Sequence, residues 1–148
     1  FRRVLFRSHT GTTAETILAT ATIAGGTFNS GDVMKVLFGI NKTGTAGAYI
    51  LRLRINTSNT LSGATQIALF SAAGATVQTT LMLRNFSLNG GNLYGYTFTT
   101  SNVTDIINVG GVPNSTAYNT ANTLYLFFTV ALVNSADSIT PNLCNITN

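Results

Sequence analysis

Hydrophobic positions along this chain recur at every second residue in short runs, and each run stops at a cluster of Gly, Asn or Ser. A period of two is that of a strand with one face turned to a core. Read this way, strands are predicted near 15–23 (ETILATATI), 33–41 (VMKVLFGIN), 48–56 (AYILRLRIN), 65–71 (TQIALFS), 76–88 (TVQTTLMLRNFSL), 93–100, 123–134 and 138–147. NSGD at 29–32 and NGGN at 89–92 read as turns, and KTGTAG at 42–47 as a hairpin loop. The third strand alternates most cleanly: Tyr49, Leu51, Leu53 and Ile55 share one face, Ile50, Arg52 and Arg54 the other. Tyr94, Tyr96 and Phe98 share a face of the sixth and are expected in the core. SNVTDIINVGG at 101–111 reads either as a short capped helix or as a strand, and 112–123 as a long polar loop. Two prolines, almost no helix signal and about eight strands point to an all-β fold. The expected architecture is a two-sheet antiparallel β-sandwich, jelly-roll-like.

One run does not alternate. LYLFFTVALV, residues 124–133, is apolar on both sides. Ten residues are too few to cross a bilayer as a helix, which needs about 20, and β-branched and aromatic content favours a strand. Leu124, Leu126, Phe128, Val130 and Leu132 can fill the core. Tyr125, Phe127, Thr129, Ala131 and Val133 face the other way and call for a cover, since burying a residue such as Phe or Val is worth about 1.5–3 kcal/mol. The loop 101–123 or a second subunit could supply it. Tyr125, Phe127, Thr129 and Val133 are therefore the expected subunit interface, and a homo-oligomer the expected partner arrangement.

Composition sharpens this picture. Charged residues make up 8% of 148 residues, against about 25% in typical globular chains, and low charge suits an interface. The pI near 9.7 depends on the opening octet FRRVLFRS, which holds Arg2, Arg3 and Arg7. Without it five bases face four acids, a net charge of +1 with no footprint for a phosphate backbone. No nucleic-acid partner and no membrane insertion are expected. The octet lacks the apolar run and cleavage site of a signal peptide. It back-translates to a sequence resembling the end of a common sequencing adapter, and no initiating Met precedes it. Residues 1–8 are therefore expected to be an artefactual extension on a metagenomic fragment, and residues 9–148 a single domain.

Candidate chemistry is sparse. The carboxylates Glu15, Asp32, Asp105 and Asp137 form no acid–base pair in sequence, and Asp32 and Asp137 read as turn formers bonding their own backbone. His9, the sole histidine, supports no triad or metal site. Cys144, the sole cysteine, reads as a small buried hydrophobe. Six glycosylation sequons occur where this composition gives about four by chance, so they carry no signal. No catalytic residue, cofactor or metal is expected. Arg52 and Arg54 stand on one strand face; they could grip a carboxylate or a sialic-acid-like sugar, make intersubunit salt bridges, or simply form a solvated face.

The phrases GTTAETILATATI, GDVMKVLFGINKTGTAGAYILRLRIN and TLYLFFTVALVNSADSIT together resemble a recurring structural domain of tailed phages. The likeness covers most of residues 11–148 and consists of turn and strand grammar. It implies a β-sandwich in a virion part such as a tail fibre, spike, head fibre or decoration protein, often a homotrimer. No catalytic residues carry over. The expected function is thus a non-enzymatic virion structural protein of a bacteriophage that self-associates, with other virion proteins and a host-surface glycan as further partners. The alternative from another class is a secreted or cell-surface carbohydrate-binding or adhesin module of a bacterium.

Overall fold

The computed structural model describes residues 4–95 and 114–148. The described residues contain strands and turns and no helix. Two short strands, β1 (Leu5–Phe6) and β2 (His9–Thr10), precede β3 (Thr16–Ile23), β4 (Val33–Thr43), β5 (Tyr49–Asn56), β6 (Thr65–Ala72), β7 (Val77–Asn89), β8 (Asn92–Gly95), β9 (Asn114–Ala117), β10 (Leu124–Leu132) and β11 (Ser138–Thr147). Each expected strand has a counterpart among these eleven, the sixth, expected at 93–100, being described only as far as Gly95. The segment 101–111, with Asp105, and residues Tyr96 and Phe98 lie outside the described residues.

The strands form two antiparallel sheets, ordered β1-β3-β10-β5-β6 and β2-β11-β4-β7-β8-β9. The fold is an all-β sandwich, as expected. β3, β4 and β5 pass from one sheet to the other and back, and β10 and β11 lie in different sheets. The first long strand pairs with the next-to-last, and the last pairs with β4.

The core follows from the alternation. Met34, Val36, Phe38 and Ile40 of β4 are buried, as are Tyr49, Leu51, Leu53 and Ile55 of β5. β10 contributes Leu124, Leu126, Phe128, Val130 and Leu132. The two sheets meet where Phe38 stacks on Phe128, ring centroids 4.3 Å apart and planes 21° from parallel. Tyr49 reaches across as well, its hydroxyl hydrogen-bonded to that of Thr80 on β7.

Two turns explain themselves. Gly90 and Gly91 link β7 to β8 with φ of 56° and 78°, the left-handed pair that a two-residue hairpin requires. At 29–32 the Asp32 carboxylate accepts from the Asn29 amide at 2.7 Å, the turn-forming role expected of it. Three expectations need correction. KTGTAG is not a hairpin: it carries the chain between sheets, because β4 and β5 both bury their apolar faces against the opposite layer. Tyr94 turns outward and Leu93 takes the core position on β8. Part of the polar loop 112–123 is β9, which pairs with β8; an edge strand of Asn, Ser and Thr carries no apolar alternation to reveal it.

The opening octet meets the fold at its edge. Leu5 and Phe6 pair with Thr20 and Ala19, Val4 is partly buried against the core, and Phe6 is exposed.

Candidate functional site

The sandwich offers two outer faces, and the residues singled out from sequence sit on the first. Register places Phe127 between Thr20 of β3 and Arg54 of β5, with Tyr125 beside Thr22 and Asn56. Thr129 lies beside Arg52 and just past a bulge that re-aims it against β3. This face is largely closed within the chain itself. Phe127 is 1% exposed and Thr129 fully buried, while Tyr125 is half-buried. Only Val133, one residue beyond the strand, is open at 67%. A directly opposed cross-strand neighbour stands about 5 Å away, and an arginine lays its aliphatic stem along an apolar neighbour while its head stays polar. Arg54 is in that position relative to Phe127.

The heads of Arg52 and Arg54 converge on Glu15, immediately before β3. Arg54 grips the carboxylate with both prongs, Nε to Oε1 at 2.7 Å and Nη2 to Oε2 at 2.9 Å. Arg52 Nη1 stands 3.5 Å from Oε2. Thr129 donates its hydroxyl to Oε1 at 2.5 Å. The two arginines thus hold a carboxylate, and it belongs to their own chain. Burial alone pushes the Glu15 carboxyl up, but the Arg54 and Thr129 hydrogen bonds and the two guanidinium charges more than offset it, so the group lies below its ordinary range. A carboxyl so lowered adds stability that is complete above the unfolded value and fades as pH falls through the folded one. Glu15→Gln is expected to cost about 1–2 kcal/mol at pH 7. The gap between variant and parent should hold above about pH 4.5 and close as pH falls below it in urea titrations; a gap independent of pH would show that the cluster stores no charge energy.

At one end of this face, Tyr125 joins Thr22, Thr27, Thr123 and Phe28 around a groove of about 450 Å³. An aromatic ring among hydroxyls suits a sugar, and a groove of this size suits one or two rings.

The second outer face was not singled out from sequence. On β7 the side chains of Thr80, Met82, Phe86 and Leu88 point inward, which turns Leu81 and Leu83 out, 60% and 56% exposed. Leu83 stands opposite Leu37 and Leu81 opposite Gly39 on β4; on the far side Gly39 faces Leu143 of β11, itself 38% exposed. Gly39 is a floor between leucines. A Cβ there would lie 2.4 Å from the Asn142 side-chain oxygen, so a larger residue would have to displace that side chain. Polar groups border the patch: Asn41 Oδ1 accepts from both Thr79 and Asn142 at 3.0 Å. The signal in the sequence was the run Leu81-Met82-Leu83, apolar on both sides of a strand as in β10.

The remaining candidates are structural. His9 is buried, its Nε2–H donating to Thr12 O at 2.9 Å and its Nδ1 paired with the Thr16 hydroxyl at 2.5 Å. Cys144 packs against the core, and burial pushes its thiol up to about 12, far from a nucleophilic thiolate. Asp137 does more than shape its turn. Its carboxylate accepts the Thr45 amide and hydroxyl at 2.5 and 2.8 Å and pairs with Lys42 Nζ at 3.1 Å, both side chains wholly buried. Among the described residues no three of His, Cys, Asp and Glu gather closely enough to hold a metal ion. No family model, curated protein or solved structure matches the chain. The class is therefore set by the fold: a two-sheet antiparallel sandwich with an ion cluster on one outer face and exposed leucines on the other.

Proposed function

We propose that this chain is a non-enzymatic structural module of a bacteriophage virion, a fibre, spike or decoration domain that self-associates. The observation that carries the reading is the second outer face, where leucines stand in solvent in a chain with few charges. Large apolar patches on soluble proteins mark contacts with other proteins, and interface centres are poor in charge. The resemblance of the strand and turn phrases to those of tailed-phage domains supports the virion setting, and the homotrimer is the stoichiometry that likeness implies. No chemistry is required of such a module; shape and surface do the work.

The alternative, a secreted carbohydrate-binding or adhesin module, draws on the groove beside Tyr125. Peptide mass spectrometry on material from the source of the sequence separates the two. If the virion reading holds, peptides of residues 9–148 band with density-purified virus-like particles. Finding them instead only in the cell-free secreted fraction, or on bacterial surfaces, supports the alternative.

A further inference from the structure

We infer that a further copy of this chain docks on the outer face of β11, β4 and β7, with Leu81, Leu83, Leu143 and Leu37 at the centre of the contact. The inference rests on the self-association proposed above and assigns it a surface, in place of the Tyr125–Val133 face that the sequence favoured.

Three observations select a second copy over other occupants. The first is area. β4 has 11 residues, β7 13 and β11 10. At about 3.4 Å per residue and 4.8 Å between strands, their shared face measures roughly 37 by 14 Å. Two such faces together bury about 1,000 Å², the threshold for a specific protein–protein contact. The second is charge. The burial alternation leaves Lys35 as the one charged side chain among the outward positions of these strands. A surface without charge offers nothing to an acidic, basic or phosphorylated partner. It fits a surface equally uncharged, and its own copy is one. Lys35 sits toward the Val33 end of the patch, where it can stay in water. The third is relief. Leu81, Leu83 and Leu143 stand out at 60%, 56% and 38% exposure around Gly39, which is buried beside the Asn142 side chain, so the leucines are the prominent apolar groups for a copy to meet. The stoichiometry follows from the angle between the copies and not from the residues in the contact.

The test is the solution mass of the full 148-residue chain by sedimentation equilibrium. The parent is expected to be an oligomer at micromolar concentration. Leu81→Glu/Leu83→Glu should raise the dissociation constant at least about tenfold, with the far-UV circular dichroism unchanged. Leu81→Thr/Leu83→Thr, which keeps β-favouring residues, guards against a variant that merely misfolds and should weaken association in the same direction. Val133→Glu, on the other side, should leave the mass unaltered. An oligomer that survives both leucine variants and dissolves in Val133→Glu overturns the assigned surface while leaving self-association intact. Leucine variants that lose monomer stability without changing mass overturn it too, because the face would then be covered by the chain itself. A parent that stays monomeric near 1 mM overturns the docking outright, whereas the virion reading stands or falls separately on the particle-banding test.

Discussion

Replacing Asp137 by alanine is expected to cost about 3–5 kcal/mol, the loss that follows when one partner of a buried ion pair is removed. Lys42 is fully buried, and its ammonium donates to Thr45 O at 2.6 Å and Ala75 O at 3.1 Å besides facing Asp137. Without the carboxylate those two carbonyls remain, and they cannot neutralise a charge in the interior. The change also releases the amide and hydroxyl of Thr45, and with them the connection that carries the chain from β4 to β5. At roughly 2–4 °C per kcal/mol for a chain of this size, the thermal midpoint should fall by about 10 °C. Lys42→Met/Asp137→Leu should be less damaging than Asp137→Ala alone, since removing both charges leaves neither orphaned. The pH dependence has a definite sign. Burial pushes the Asp137 carboxyl up, but the Thr45 hydroxyl and amide and the Lys42 ammonium outweigh it and hold the group below the ordinary carboxylate value. Its contribution is complete above about pH 4 and is lost as pH falls through the lower folded value. Guanidinium titrations at pH 7 and pH 3 check both points. A loss under 1 kcal/mol at pH 7 would mean that the pair is solvated in solution and the connection is held by other contacts.

How far the sequence could reveal this is visible in particular residues. The alternation of β5 named its buried side residue by residue, because a strand with one wet face repeats every two positions and nothing else is needed. β10 gave its core face for the same reason. Its outer face was legible as apolar but not as covered. Whether Phe127 lies in water depends on Arg54 standing opposite and on Glu15, 39 residues earlier in the chain, holding that arginine in place. Asp137 looked like a turn former because Asp before Ser in a polar stretch usually is one. Its actual partner, Thr45, is 92 residues away, and no local pattern carries that distance. β9 was missed because an edge strand of Asn, Ser and Thr has no hydrophobic period. Leu81 and Leu83 are the instructive case. Their run carried the same two-sided signal as β10, but a strand of 13 residues with Arg84 in its middle reads as having one polar side. The structure buries Arg84 on the inner side, where burial pulls its guanidinium down to about 10, and thereby turns the leucines out. The fold could be read from periods; the surfaces depended on which long side chains meet across strands.

Phe128→Ala and Phe38→Ala should each cost about 3–5 kcal/mol, comparable to the loss of Asp137, through a different cause. Both rings are about as buried as any side chain in the protein, and each comes from the middle of its sheet. Phe128 has Leu53 and Ala19 as cross-strand neighbours; Phe38 has Met82 and Cys144. Neither site can collapse easily, because four strands would have to move to close the void, so the cavity persists and its cost adds to the lost transfer energy. The stacked rings, centroids 4.3 Å apart, should also couple by about 0.5–1.5 kcal/mol in a double-mutant cycle. The double variant is then less damaged than the sum of the singles, yet with a total stability of about 5–15 kcal/mol for a domain it sits near the point of unfolding at 25 °C. Purely additive losses would mean that the two sheets do not meet through these rings. That outcome would also reach the surface: the same alternation that turns Phe38 inward on β4 turns Leu37 outward, and a one-residue slip in register would exchange them. The coupling between two buried rings therefore reports, from inside the molecule, whether the leucine face outside is where the strand pairing puts it.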